Sequence, residues 1–236
     1  MNKLGALHYT KPTGSKHSAT VIFFHGSGGN GEDMKEWIRL MVKEFAFPHI
    51  KVLYPTAPLQ PYTPLGGGMS NVWFDRGDID IAATEQKHSI ENIKEEVVNL
   101  IKQENEAGIP TSRIIAGGFS MGGALSLYTG YNFEKNIAGV IAFSSFLNEN
   151  SFMYNNLQQT TETSSMPHIL NFNLHVISLR NSDELVPLKW GQRTFEKLKT
   201  HGVKGQFHVL ESLGHSINKR GMNIIKDWIV KLLPEN

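Results

Sequence analysis

The chain has 236 residues, 40% of them hydrophobic and 19% charged, so it is long enough to bury a substantial core. Its 23 Lys and Arg residues nearly balance 22 Asp and Glu residues, and the formal net charge of +1 gives no overall field that would attract nucleic acid or anionic lipid. The chain contains no cysteine. That absence excludes disulfides, a thiolate metal site, a cysteine nucleophile and S-palmitoylation of the chain itself.

The chain shows no sign of a targeting or membrane-spanning segment. Residues 1–9 are too short and too interrupted for the apolar core of a signal peptide, and no run approaches the roughly 18 apolar residues of a membrane span. We therefore expect a soluble, cytoplasmic protein that touches a membrane only peripherally. Without a repeat or an evident linker, residues 1–236 are expected to form a single domain.

Strand patterns alternate with helix patterns along the chain. Short runs rich in β-branched and aromatic residues predict strands at 19–24, 50–54, 113–117, 139–143, 174–179 and 206–210. Apolar residues at helical spacing predict amphipathic helices at 34–45, 90–101, 120 to about 131, and 224–232. This alternation predicts an α/β fold in which helices cover both faces of a mostly parallel central sheet.

Two long segments interrupt this alternation. Residues 55–75 hold several prolines and the triple glycine 66–68, so they are predicted to form a long, packed, irregular excursion, with a hairpin or Ω-loop turn at the glycines. Residues 148–173 are polar and are predicted to form a mobile surface insertion.

Gly118-Phe119-Ser120-Met121-Gly122 lies between a predicted strand and a predicted helix. This pattern is typical of a nucleophile elbow, in which small residues two positions from the serine let the chain turn sharply and expose the hydroxyl. A serine hydroxyl is a poor nucleophile at neutral pH. Ser120 therefore needs a general base, and that base needs a third group to orient it.

His215 is the expected general base. It lies in a loop between the last predicted strand and the last helix, at the carboxyl edge of the sheet, where side chains reach over a site. His175 and His208 fall inside predicted strands. His201 falls at a helix end, where a cation offsets the helix dipole.

Asp183 is the expected acid because it follows the 174–179 strand by a short turn, on the same sheet edge as Ser120 and His215. Pro187 suits the first position of the next helix, which would leave Asp183 free of a capping role. Glu184 is the alternative acid.

Backbone N–H groups are expected to stabilise the oxyanion of a tetrahedral intermediate. The residue after the nucleophile, Met121, and Ser27 in the glycine-rich loop after the first strand are the candidate donors. The glycine pattern fits neither a phosphate-binding loop nor a dinucleotide fingerprint, and no residues are clustered at metal-ligand spacing. We therefore expect neither a cofactor nor a metal.

With these residues placed, the chain resembles the acyl-protein thioesterase and lysophospholipase-like branch of the α/β-hydrolases over nearly its full length. The matching segments are 24–28, 54–58, 62–64, 70–76, 117–123, 144–148 and 183–186. The resemblance implies an α/β-hydrolase fold without a large cap domain and the same Ser120, His215 and Asp183 triad. It also implies acylated proteins or small acyl esters as substrates.

The chain departs from these relatives at two places. Relatives commonly have Gln at the position of Met121, so the pocket beside the nucleophile is expected to be less polar here. They carry His-Gly where this chain has Leu179-Arg180. Arg180 is expected to attract the Asp183 carboxylate and so to weaken the interaction by which Asp183 orients His215.

Four large apolar residues are candidates for the wall of the acyl pocket. Trp73 and Phe74 close the 55–75 excursion, and Phe146 and Leu147 follow a strand end. Plain loop packing is the alternative for each.

The expected activity is serine hydrolysis of acyl thioesters, including palmitoyl-protein, or of small acyl esters. The alternatives are a general carboxylesterase or lysophospholipase and a non-catalytic binding protein of hydrolase fold, for which the Leu179-Arg180 turn is the support.

Overall fold

A computed structural model describes residues 3–43, 45–163, 173–180, 183–211 and 214–235. Over these ranges the strands are β1 (Leu7–Thr10), β2 (Ala19–Phe24), β3 (Ile50–Pro55), β4 (Leu59–Tyr62), β5 (Gly68–Asn71), β6 (Ile114–Phe119), β7 (Gly139–Phe143), β8 (Asn173–Arg180) and β9 (Gly205–Glu211). The α-helices are α1 (Gly31–Val42), α2 (Lys87–Glu106), α3 (Met121–Tyr128), α4 (Phe152–Thr163), α5 (Leu188–Thr200) and α6 (Lys219–Leu232). None of the helices in these ranges is long and apolar enough to cross a membrane.

A seven-stranded sheet forms the centre of the molecule, in the order β1-β3-β2-β6-β7-β8-β9. Strands β3 to β9 in this sheet are parallel, and β1 pairs antiparallel with β3. The predicted mostly parallel sheet is thus confirmed. The edge strand β1 was not predicted, because its four residues are too few to establish an alternating pattern.

Helices cover both faces of the sheet. On one face α1 and α6 bury residues such as Ile38 and Ile225 against the strands, and on the other α2 to α5 bury residues such as Val97 and Leu125. Successive residues of β2 point to opposite faces of the sheet. Phe23 packs on the face covered by α1 and α6, and Phe24 packs on the face covered by α2 to α5. These layers confirm the α/β sandwich. The loops that follow the parallel strands all lie at one edge of the sheet.

The 55–75 segment is more regular than predicted. Strands β4 and β5 form an antiparallel hairpin, and Gly66 and Gly67 at its turn have φ of 62° and 82°, which glycine adopts without strain. The predicted hairpin turn is confirmed. At the base of the hairpin, the Asp75 carboxylate accepts hydrogen bonds from the Thr63 N–H (2.8 Å) and hydroxyl (2.6 Å).

The polar stretch 148–173 is not simply a surface insertion. Its first half contains α4, which buries Met153, Tyr154 and Leu157 in the core. Three apolar residues at helical spacing anchor this helix despite its polar composition. Residues 164–172 lie outside the described ranges.

Candidate active site

Ser120 stands at the turn between β6 and α3 with φ 54° and ψ −120°, a strained conformation for a residue that has a side chain. Its backbone N–H donates to the Phe143 carbonyl at 2.8 Å, which holds the turn against the neighbouring strand. A Cβ on Gly118 would lie 2.3 Å from the Gly122 carbonyl carbon, and one on Gly122 would lie 2.2 Å from the Phe24 carbonyl oxygen. Both positions therefore require glycine, as the elbow pattern predicted.

His215 and Asp183 meet at the same edge of the sheet. The His215 Nδ1 donates to Asp183 Oδ2 at 2.7 Å, and the Asp183 side chain is almost fully buried. This bond places the imidazole proton on Nδ1 and leaves the lone pair on Nε2. Nε2 is buried and has no hydrogen-bond partner among the described residues. The Phe119 ring packs against the imidazole at a centroid distance of 4.7 Å.

Asp183 also orders its own turn, which sequence reasoning did not foresee. Its Oδ1 accepts from the Val186 N–H at 2.8 Å, so one carboxylate oxygen holds the turn and the other holds His215. Helix α5 begins at Leu188 with Pro187 as its N-cap, one residue later than the prediction. The side chain of Arg180 lies outside the described part, as does that of His175.

Ser120 and His215 both line one small cavity of about 100 Å³. The other residues that line it are Gly26, Ser27, Tyr62, Arg76, Ile79, Phe119, Met121, Ser145, Phe146, Leu185 and Val186. Ser120 does not hydrogen-bond to His215 Nε2 in this conformation. Such bonds are often long before substrate binds and tighten in the reacting complex.

The two residues expected to supply the oxyanion donors, Ser27 and Met121, both line the cavity and contact each other through their side chains. The Ser27 hydroxyl lies 3.8 Å from the Met121 sulfur, and neither backbone N–H has an acceptor among the described residues. The loop that carries Ser27 is anchored by a bond from Gly28 N–H to the Asn71 carbonyl at 2.9 Å. A free pair of fixed N–H groups beside a serine is the arrangement that stabilises a developing oxyanion.

His25 is a residue of this site that sequence reasoning missed. It is buried behind the Ser27 loop, where Nδ1 donates to the Gly26 carbonyl (2.6 Å) and Nε2 accepts from the Ala57 N–H (2.9 Å). Burial lowers its pKa to about 4, so it is neutral and can keep both bonds. Its place at the end of β2, directly before Gly26, was the available signal.

The structure places one of the four expected wall residues in the cavity, Phe146. Trp73 is buried behind the cavity, where its indole N–H donates to the His25 carbonyl at 2.7 Å. Phe74 packs edge-on against Tyr128, and Leu147 lines a second, larger cavity of about 490 Å³. Trp73 and Phe74 are therefore packed within the protein, which was the alternative to a place in the wall of the acyl pocket.

The remaining histidines and possible metal ligands lie elsewhere. His201 ends α5, where Nδ1 bonds to the Lys197 carbonyl at 2.8 Å. His208 lies in β9, and burial lowers its pKa. Within the described ranges, no group of three or more His, Asp or Glu side chains is arranged to hold a metal ion.

Known proteins are similar to this chain in sequence and in fold. The family model for phospholipases and carboxylesterases matches residues 8–233. Lysophospholipase-like protein 1 of Mus musculus is 43% identical over 94% of this chain and 90% of that protein, and acyl-protein thioesterase 1 homolog 1 of Dictyostelium discoideum is 34% identical over 93% and 92%. The crystal structure of Zea mays acyl-protein thioesterase 2 superposes with a TM-score of 0.81 at 26% identity, covering 97% of this chain and 99% of that chain. The chain therefore belongs to the phospholipase/carboxylesterase family of α/β-hydrolases, whose members are serine hydrolases.

Proposed function

We propose that the chain hydrolyses acyl thioesters or small acyl esters through an acyl-enzyme intermediate on Ser120. The observation that carries this proposal is the bond of 2.7 Å from His215 to Asp183, which leaves Nε2 of His215 without a hydrogen-bond partner among the described residues, in a side chain that lines the same cavity as Ser120. An imidazole held in this tautomer is suited to accept a proton from a serine hydroxyl.

In the first step, Ser120 Oγ attacks the acyl carbon and His215 Nε2 takes its proton. Asp183 Oδ2 accepts from the Nδ1–H, so it stabilises the imidazolium without being protonated itself. The backbone N–H groups of Ser27 and Met121 donate to the oxyanion. In the described ranges neither N–H has another acceptor, and this supports the role because preorganised donors need no rearrangement when the charge develops.

In the second step, His215 passes its proton to the leaving group, and the same histidine then activates water for deacylation. A thiolate leaves with little protonation because the pKa of a thiol is near about 8.5. An alkoxide needs the proton. Hydrolysis of a thioester at the proposed site therefore depends less on proton donation by His215 than hydrolysis of an oxygen ester does.

Two substrate classes fit the family. The Dictyostelium relative is named an acyl-protein thioesterase and the mouse relative a lysophospholipase-like protein, which support acylated proteins and acyl esters respectively. The cavity of about 100 Å³ favours a small-ester carboxylesterase as the second candidate. It holds about three water volumes, far less than a palmitoyl chain fills.

The test is labelling by a fluorophosphonate probe together with hydrolysis of p-nitrophenyl acetate. The parent protein should label and turn over, and Ser120→Ala should lose both properties. Ser15→Ala, a change at an exposed serine, is the matched control and should behave like the parent. Full activity in Ser120→Ala would refute the assignment. A parent protein that neither labels nor turns over would favour the non-catalytic binding protein.

A further inference from the structure

Four residues that line the cavity each carry a buried polar side-chain atom with no hydrogen-bond partner among the described residues. These atoms are Tyr62 Oη, Arg76 Nε, Ser145 Oγ and His215 Nε2. The proposed catalytic cycle accounts for His215. It uses none of the other three, and buried polar groups without partners are rare enough to require an explanation.

Of the three unpartnered groups, Arg76 costs the most free energy to bury, because it carries a charge. Its side chain is buried, with 7% of the residue exposed, and its guanidinium carbon lies 5.2 Å from the centres of both the Phe74 and Phe146 rings. These ring faces attract the cation but accept none of its five N–H donors. Burial lowers the pKa of Arg76, although arginine stays protonated at neutral pH.

The carboxylates of Asp75 and Glu85 interact with the Arg76 charge through space, but their hydrogen bonds within the described residues go to other donors. Asp75 accepts two bonds from Thr63, while Glu85 accepts from the Tyr128 hydroxyl and from the Phe152 N–H. Within the described residues, Arg76 forms no ion pair or hydrogen bond. In the part of the chain that the structure describes, no anion is bonded to this charge, which lies in the lining of the same cavity as the candidate nucleophile.

We propose that Arg76, together with the Tyr62 and Ser145 hydroxyls, forms a subsite for a carboxylate at the far end of a short acyl chain. The substrates are then half-esters or half-thioesters of short dicarboxylic acids, such as succinyl compounds. This inference rests on the proposed function, since it assigns the acyl group that Ser120 would accept.

The size of the cavity places the carboxylate on the acyl side. About 100 Å³ holds a chain of roughly four carbon atoms, whereas a protein or other large leaving group has to remain outside. Arg76 is the lining residue that carries a permanent positive charge. A carboxylate that enters gains a bond to a guanidinium and two hydroxyl donors in a largely desolvated place, where charge-assisted hydrogen bonds are strong.

The experiment compares monoethyl succinate with ethyl butyrate, which differ at the acyl end by a carboxylate in place of a methyl group. Acid release is followed by titration at constant pH, and kcat/KM for the succinate is divided by that for the butyrate in each variant. Because the ratio is taken within one protein, a general loss of activity or folding does not alter it.

We expect a ratio well above one for the parent protein and a fall of about tenfold to a hundredfold in Arg76→Met, which keeps an apolar stem between the two rings. Arg76→Lys should retain part of the preference, and Tyr62→Phe and Ser145→Ala should each lower it less. Arg39→Met is the control for the loss of one positive charge, since Arg39 is exposed and pairs with Glu36.

A parent ratio below one, or an Arg76→Met ratio equal to that of the parent, would overturn the subsite. A third ester, butyryl glycolate, carries its carboxylate on the leaving group. If Arg76→Met lowered its hydrolysis selectively and left the succinate ratio alone, the anion would belong to the leaving group and the acyl-side proposal would fail. Ser120→Ala separates the two proposals: full activity there refutes the serine mechanism, whereas its loss together with a parent ratio below one refutes only the subsite.

Discussion

Acidification should destabilise this protein through His25. In the native state its Nδ1 donates to Gly26 and its Nε2 accepts from the Ala57 N–H. A proton on Nε2 would turn that acceptor into a donor facing another donor, inside a site with almost no access to water. The native state therefore resists protonation at this residue, whereas the unfolded chain does not.

The magnitude follows from the two pKa values. Burial lowers the pKa of His25 from its ordinary 6.5 to about 4 in the native state. Between these values the unfolded chain binds the proton and the native protein does not, so stability falls as the pH decreases. At about 1.4 kcal/mol per pKa unit, His25 should remove about 2 kcal/mol of stability between about pH 7.5 and pH 5, and about 3 kcal/mol once the pH is below 4.

Urea unfolding at several pH values measures this directly. The free energy of unfolding of the parent protein is compared with that of His25→Gln, whose amide can still accept from Ala57 but does not titrate. The variant should lose about 2 kcal/mol less than the parent on going to about pH 5. His88→Gln, at an exposed histidine, should keep the full pH dependence of the parent. If His25→Gln and the parent lost stability in parallel, the neutral, doubly bonded His25 would be refuted.

Three further predictions concern the candidate site. Asp183→Asn should lower kcat/KM more for an oxygen ester than for the matching thioester, because only the alkoxide needs a strong proton donor; equal losses on a matched pair would contradict this. Gly122→Ala should destabilise the protein by several kcal/mol and abolish turnover, since the new Cβ would meet the Phe24 carbonyl oxygen at 2.2 Å. In thermal unfolding, Gly77→Ala should be nearly neutral, because its Cβ would meet its nearest atom only at 4.0 Å. Along a series of p-nitrophenyl esters, kcat/KM should fall steeply from butyrate to octanoate, and a flat or rising series would show that the cavity opens on binding.

The features that depend on neighbouring residues follow from the sequence. The elbow at Ser120 needs glycine at 118 and 122 because the backbone itself fills the space where their Cβ atoms would be. Once the strands are taken as parallel, the ends of β6, β8 and β9 must lie on one edge of the sheet, which brings Ser120, Asp183 and the loop of His215 together. Sequence reasoning therefore identified the candidate triad without knowledge of any distance.

The features that depend on long-range packing were decided by the tertiary structure. Trp73 is a large apolar residue near the site, but only the folded chain directs its indole toward His25 rather than into the cavity. Helix α4 is stabilised by three apolar side chains that are buried in the core, although its composition is polar.

The same holds for Arg76, which belongs to a motif already visible in the sequence. Its burial requires Phe146, seventy positions later in the chain, and its lack of an ion pair within the described ranges requires Asp75 and Glu85 to be bonded elsewhere. The sequence by itself thus determined the fold class, the reaction type and the candidate catalytic residues, because these depend on local pattern and strand order. The shape and charge of the cavity arose only in the tertiary structure, because they depend on which distant side chains share one buried volume.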